Sequence, residues 1–144
     1  MKLFVAQIPS DQNQKALFFL RLSIGLLTII HGAPKIMGGT ESWQFFGAAM
    51  TSIGIDFLPV MWGFIAAATE FFGGIMFTCG LGTRFSSFFL ALMMAIATIW
   101  HVQKGDLFMV YSFPLSVMCV FITFLWIGGG RFSLDYYSRA KKLQ

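Results

Sequence analysis

Four long apolar segments, at residues 16–31, 57–81, 85–101 and 107–127, constrain this sequence more than any other feature. A helix needs roughly 20 mostly apolar residues to cross the hydrocarbon core of a bilayer, and these segments are close to that length. Only 11% of the residues are charged, whereas a soluble domain carries about 25%. The pattern predicts a single all-α membrane domain, residues 1–144, built as an up-down bundle of four transmembrane helices in contact with the lipid bilayer.

Glycine and proline residues mark the expected ends of these helices. Gly32 and Pro34 are predicted to end the first helix at His31, and Pro59 to open the second. Between them, residues 32–56 carry Trp43, Phe46, Met50 and Ile53 at helical spacing. This spacing predicts a short amphipathic helix at the interface, covering the mouth of the bundle. Residues 128–144 are expected to form a cytoplasmic tail.

The basic residues predict the orientation of the helices. Eight of them fall on one side of the predicted bundle and two on the other. The first group is Lys2, Lys15, Arg21, Arg84, Arg131, Arg139, Lys141 and Lys142, and the second is Lys35 and Lys104. The positive-inside rule then places both termini in the cytoplasm of a bacterial inner membrane. Because these residues flank the apolar segments and form no basic stripe, no nucleic-acid partner is expected.

Each predicted span also carries small or polar residues at alternating spacings of four and three. These are Arg21, Gly25, Thr28 and Gly32; Gly63, Ala67, Glu70 and Gly74; Ser87, Ala91, Met94, Thr98 and His101; and Ser112, Ser116, Cys119 and Thr123. Helices in lipid associate through small residues and polar contacts. The four stripes are therefore predicted to face the centre of the bundle.

Glu70 is the residue most indicative of function, because a carboxylate deep in a span costs several kcal/mol unless it is paired, hydrated or protonated. Arg21 is expected to face inward on the first span, at an axial offset of about 9 Å from Glu70 at 1.5 Å per residue. One interpretation is a structural charge pair between Arg21 and Glu70. The other is a Glu70 that handles a proton or binds a ligand.

His31 and His101 end two helices that run outward, so they are expected at the same level, with Lys35 beside His31. Such a cluster could bind a quinone, another small ligand or an anion. Alternatively, each histidine only offsets the helix dipole. The candidate ligand-binding residues are therefore His31, Lys35, Glu70 and His101.

No arrangement typical of a catalytic centre is found in the sequence. Cys79 and Cys119 lie in apolar segments without a Cys-x-x-Cys pair, and two histidines without a third ligand predict no metal site. There is also no phosphate loop, dinucleotide fingerprint or nucleophile–base motif. Catalytic residues thus stay unassigned, and any reaction would depend on a cofactor or on a partner subunit.

Several short motifs together resemble the DoxX family. They are Arg21-Leu22 with Gly25-Leu26, His31-Gly32-x-x-Lys35, Glu70-x-x-Gly73-Gly74, residues 80–84, His101 with Gly105, and residues 129–135. The resemblance covers about residues 21–135. It implies a four-helix integral membrane protein of bacteria or archaea, whose relatives occur beside oxidoreductases, including quinone-linked ones. The same fold also appears among membrane assembly chaperones.

Two main functions therefore stay open. The first is a membrane subunit of an oxidoreductase system, with oxidoreductase partner subunits and with quinone as the candidate cofactor. The alternative is a non-enzymatic scaffold or assembly factor whose polar residues only hold the bundle together. A transporter is less favoured, because the chain is short and has no inverted repeat. Homo-oligomers are compatible with either main function.

Overall fold

A computed structural model describes residues 11–142, and every element within them is helical. The helices are α1 (Asp11–Met37), α2 (Gly39–Gly47), α3 (Pro59–Cys79), α4 (Thr83–Gln103), α5 (Phe108–Ile127) and α6 (Leu134–Lys142), with a 3-10 helix at Ala48–Ile53. Four of them, α1, α3, α4 and α5, are long and apolar enough to cross a membrane. The predicted four-helix bundle is confirmed. The N-terminal segment 1–10, part of the predicted domain, lies outside the described residues.

The four long helices alternate in direction and enclose one apolar core. α1 packs mainly on α3, and α4 packs on both α3 and α5. The core contains Phe77 of α3, Leu90 and Met94 of α4, and Phe121 and Phe124 of α5. The rings of Phe121 and Phe124 both meet Phe77 edge-on, with centroids 5.0 and 4.9 Å away. This aromatic contact joins α3 to α5 near one end of the bundle.

The first span is longer than predicted, because α1 continues past Gly32 and Pro34 to Met37. Gly32 is buried against α3, where an added Cβ would lie 2.7 Å from the backbone N of Phe71. Gly32 therefore allows two helices to approach closely and does not end one. Pro34 removes one helical hydrogen bond, but its own carbonyl accepts a hydrogen bond from the N–H of Gly38 at 3.0 Å. The helix ends beyond the proline.

Two of the four predicted inward stripes agree closely with the buried residues. In α1 and α3 every residue of the stripe is buried. In α5 the prediction is wrong, since Ser116, Cys119 and Thr123 are exposed and the buried face carries Pro114, Val117, Phe121 and Phe124. The hydroxyls of Ser116 and Thr123 donate to carbonyls one turn earlier in α5 itself, at 2.7 and 2.9 Å. Because these donors are satisfied within the helix, they can face lipid.

The predicted helix of the first loop is present as α2 and the 3-10 helix, which we call the roof segment (residues 39–53). Its attachment to α3 depends on two glycines that bring the backbones into contact. A Cβ on Gly47 would lie 1.7 Å from the carbonyl oxygen of Pro59, and one on Gly63 would lie 1.6 Å from that of Trp43. The side-chain amide of Gln103 donates to the carbonyl of Ser52 at 2.9 Å, which ties α4 to the roof segment. The end of the bundle under this segment is called the roofed end.

The opposite end, called the basic end, contains Arg84, Arg131 and the short helix α6, which the sequence did not predict. The carboxylate of Asp135 in α6 accepts hydrogen bonds from the backbone N–H groups of Gly82 and Thr83, at 2.7 and 2.8 Å. It thereby caps α4 from a distant part of the chain. Burial raises the pKa of this carboxyl, but the hydrogen bonds from Thr83 and Gly82 outweigh it, so that the pKa lies below its usual value.

We expect Gly63→Ala to destabilise the fold by about 1–3 kcal/mol, since the new methyl group would press on backbone that cannot rotate away. Gly73→Ala, in the same helix, is the matched control. Its Cβ would meet only the flexible end of Leu90, at 3.4 Å. Thermal unfolding in detergent should show a lower midpoint for Gly63→Ala alone. Equal midpoints for the two variants would contradict the proposed close contact between α3 and the roof segment.

Candidate ligand pocket at the roofed end

A cavity of about 270 Å³ lies beneath the roof segment, between α3 and α4. Its walls are mostly apolar and aromatic, and its polar groups come from three different helices. The lining residues are Lys35, Phe46, Ala49, Met50, Ile53, Trp62, Ile65, Ala66, Glu70, Leu92, Met93, Ile96, Ala97, Trp100 and His101. An apolar cavity with a few convergent polar groups is the usual form of a small-molecule site.

Lys35 and Glu70 form a two-pronged ion pair in this cavity. The Lys35 Nζ lies 2.7 Å from Oε1 and 2.6 Å from Oε2 of Glu70. The Glu70 side chain is 6% exposed and that of Lys35 is 22% exposed. The same Nζ lies 4.7 Å from the ring centroid of Phe46 in the roof segment, within the range of a cation–π contact. The pair thus joins α1, α3 and the roof at one point.

Arg21 is not the partner of Glu70, which corrects the predicted charge pair. Its guanidinium is buried at the basic end and donates to the carbonyls of Phe77, Thr78 and Phe132. The last carbonyls of a helix have no partner within it and carry the negative end of its dipole. These carbonyls therefore stabilise the Arg21 cation at the end of α3 without a carboxylate. Lys35 reaches Glu70 because α1 continues beyond the predicted stop.

The two histidines, which were expected in one cluster, are separated. His101 lines the cavity, and its Nδ1 lies 2.7 Å from Oδ2 of Asp106. His31 is exposed and does not line the cavity; its ring packs against that of Phe113, with centroids 5.0 Å apart. The structure therefore brings Lys35, Glu70 and His101 together but leaves His31 outside.

The pairing of His101 with Asp106 affects the chemistry that the imidazole can perform. A carboxylate on Nδ1 favours the tautomer that carries its proton there, so that Nε2 is left as a hydrogen-bond acceptor. His101 is thus suited to accept a hydrogen bond at Nε2 from a hydroxyl group in the cavity.

Trp62 is a polar residue of this site that sequence reasoning missed. Its indole Nε1 is buried and has no hydrogen-bond partner within residues 11–142. Buried donors are nearly always paired, so an unpaired one in a cavity wall indicates a place for an acceptor. From sequence alone, Trp62 and Trp100 are interpreted as interfacial or packing residues. The one available signal was the position of Glu70 two turns after Trp62, which places both side chains near one face of α3.

The site contains few groups suited to hold a metal ion. Across the described part of the chain, no three His, Cys, Asp or Glu side chains are grouped closely enough to bind one. The polar groups around the cavity instead provide a buried ammonium–carboxylate pair, an imidazole and an indole N–H. These groups suit an uncharged ligand with oxygen atoms on a flat apolar body.

A double-mutant cycle on Lys35 and Glu70 should show coupling of about 1–3 kcal/mol in the free energy of unfolding. The single changes are Lys35→Met and Glu70→Gln. Each leaves its partner charge unpaired, whereas the double change removes both charges and should cost less than the sum. Reversible unfolding in detergent measures the energies. The control cycle pairs Glu70→Gln with Arg21→Met, and the Lys35–Glu70 pair would be contradicted if only this control showed coupling.

Comparison with known proteins agrees with the helices and motifs described. The DoxX family model matches residues 16–103. The "Putative oxidoreductase CatD" of Bacillus subtilis (strain 168) is 38% identical over 82 residues, a match that spans 56% of each chain. An "Uncharacterized protein" of Haemophilus influenzae (strain ATCC 51907 / DSM 11121 / KW20 / Rd) is 30% identical over 125 residues, 83% of this chain and 87% of that one. No solved structure gives a significant match. This multi-pass membrane protein belongs to the DoxX family.

Proposed function

We propose that this protein is a membrane subunit of an oxidoreductase system and that it binds a quinone in the cavity under the roof segment. The observation that carries the proposal is the convergence of Lys35, Glu70 and His101 with the unpaired Trp62 N–H on one mostly apolar cavity. A quinone combines a flat apolar ring with two carbonyl oxygens, which such a cavity matches.

The described side chains supply hydrogen-bond donors for the quinone form of such a ring and an acceptor for the quinol form. The Trp62 Nε1–H and the Lys35 ammonium can donate to a carbonyl oxygen. His101, with its Nδ1 held by Asp106, can accept a hydrogen bond from a quinol hydroxyl. The quinone would supply the redox chemistry together with a partner subunit, while this chain's residues bind the ring, exclude water and accept a hydrogen bond at His101.

The relatives support a link to oxidoreduction in a limited way. The Bacillus subtilis relative is named an oxidoreductase, and the match spans 56% of its length. The family and the membrane location agree with a small subunit that acts beside a redox enzyme. The alternative, a scaffold or assembly factor, would use the Lys35–Glu70 pair only to hold three elements together.

Quinone binding can be measured through the protein's own fluorescence, because Trp62 and Trp100 line the cavity. Trp126→Phe removes a residue that is 76% exposed at the basic end and gives a cleaner background. Titration with a short-chain ubiquinone analogue should quench this fluorescence in a saturable way. Trp62→Phe and Lys35→Met each remove one donor to the quinone oxygens and should weaken the apparent affinity by about tenfold, with Trp100 as the reporter in Trp62→Phe.

His31→Ala is the matched control. Because His31 does not line the cavity, this variant should bind the quinone with unchanged affinity. All variants should be titrated at one temperature that lies below the lowest of their unfolding midpoints. Saturable quenching that is equal in all three variants would place the quinone elsewhere. No saturable quenching in the parent protein would favour the scaffold function.

We also propose that the basic end faces the cytoplasm, on the 8-against-2 distribution of basic residues. A chain free of Cys79 and Cys119 allows single cysteines to report the side. Thr40→Cys, in the roof segment, should react with an impermeant thiol reagent in intact spheroplasts. Ser138→Cys, in α6, should react only after the membrane is opened, and labelling of Ser138→Cys from outside would reverse the orientation.

A further inference from the structure

A second cavity, of about 450 Å³, lies at the basic end of the bundle, far from the proposed quinone site. It is formed where α4 begins and where α5 ends, and α6 contributes Asp135, Tyr136 and Arg139 to its lining. Three arginines, Arg84, Arg131 and Arg139, line it together with Gln14, Tyr136 and the glycine run 128–130. Guanidinium groups from three separate parts of the chain are thus brought to one opening.

The positive charge of this cavity is balanced only in part by the described residues, since Arg131 interacts electrostatically with Asp11 and Arg139 with Asp135 without forming a salt bridge. All three arginine side chains are exposed, and none of them forms a salt bridge with the residues that the structure describes. Arg84 donates only to the backbone carbonyl of Trp126, at 3.0 Å. The one carboxylate in the lining, that of Asp135, is occupied by two backbone N–H groups at the start of α4. The site therefore has a surplus of donors for an anion.

The cavity also has an apolar side, formed by the exposed side chains of Phe85 and Ile127. Phe85, in the first turn of α4, is 63% exposed, and Ile127, the last residue of α5, is 58% exposed. Both line the cavity. Tyr136 of α6, which is exposed, also lines the cavity, and tyrosine is enriched at the level of the lipid headgroups. Charge and apolar surface thus meet at the level where the spans end.

We propose that this cavity binds an anionic phospholipid, with the phosphate at the three arginines and the acyl chains along Phe85 and Ile127. A soluble anion would use the arginines alone and would gain nothing from exposed apolar side chains. A zwitterionic lipid would bring its own cation into an already positive opening. Basic pockets between transmembrane helices recognise anionic headgroups by this combination.

Native mass spectrometry of the full chain in detergent tests the proposal, with dioleoyl phosphatidylglycerol and dioleoyl phosphatidylcholine as probes. The parent protein should retain phosphatidylglycerol selectively. The triple variant Arg84→Gln, Arg131→Gln, Arg139→Gln should bind it at least about tenfold more weakly. The control triple variant Lys15→Gln, Lys104→Gln, Lys141→Gln removes the same formal charge from positions outside the cavity and should bind like the parent.

Two further measurements separate the remaining explanations. Soluble glycerol phosphate should not compete at lipid-equivalent concentration; if it does, the site is one for a free anion and the lipid proposal fails. The triple variant Arg84→Lys, Arg131→Lys, Arg139→Lys keeps the charge and should keep the preference for phosphatidylglycerol. Equal retention of both lipids by the parent, or equal loss in the Arg→Gln and Lys→Gln variants, would overturn the proposal.

Discussion

The structure depends on how three charged side chains within or at the edge of the apolar spans find partners. The terminal nitrogens of Arg21 donate to backbone carbonyls at the end of α3 and to that of Phe132, while its Nε has no partner among the described residues. Glu70 is therefore left to Lys35 at the roofed end. A membrane interior makes any unpaired charge costly, so this division fixes the register of α1 against α3 at two levels. The basic end is then held by carbonyls and the roofed end by an ion pair.

The bundle itself could be predicted from the sequence because lipid leaves few choices to the backbone. Long apolar segments must form helices, and small residues must face other helices. The prediction failed for α5, where Ser116 and Thr123 carry the same pattern as buried residues elsewhere. A hydroxyl can be satisfied by its own helix, so it does not reveal a face by itself. Burial of Phe121 and Phe124 depends on Phe77, a contact that no local pattern shows.

The candidate site could be predicted only in part, for a related reason. Lys35, Glu70 and His101 were singled out from the sequence, and all three line one cavity. The predicted Arg21–Glu70 pair was wrong, because α1 continues past Pro34 and carries Lys35 to Glu70. The sequence did not predict the rotation of His31 about the axis of α1. His31 turned out to face Phe113, away from the cavity.

The two ends of the bundle offer ligands opposite kinds of electrostatic environment. At the roofed end, the ammonium of Lys35 is already balanced by Glu70, so an incoming anion would have to displace a carboxylate held at two points. A neutral molecule with carbonyl oxygens can instead take the Trp62 N–H without breaking that pair. At the basic end, none of the three arginines forms a salt bridge with a described carboxylate, and Asp135 is committed to the start of α4. The same physical rule, that buried or half-buried charge seeks a partner, therefore selects a neutral ligand at one end and an anionic one at the other.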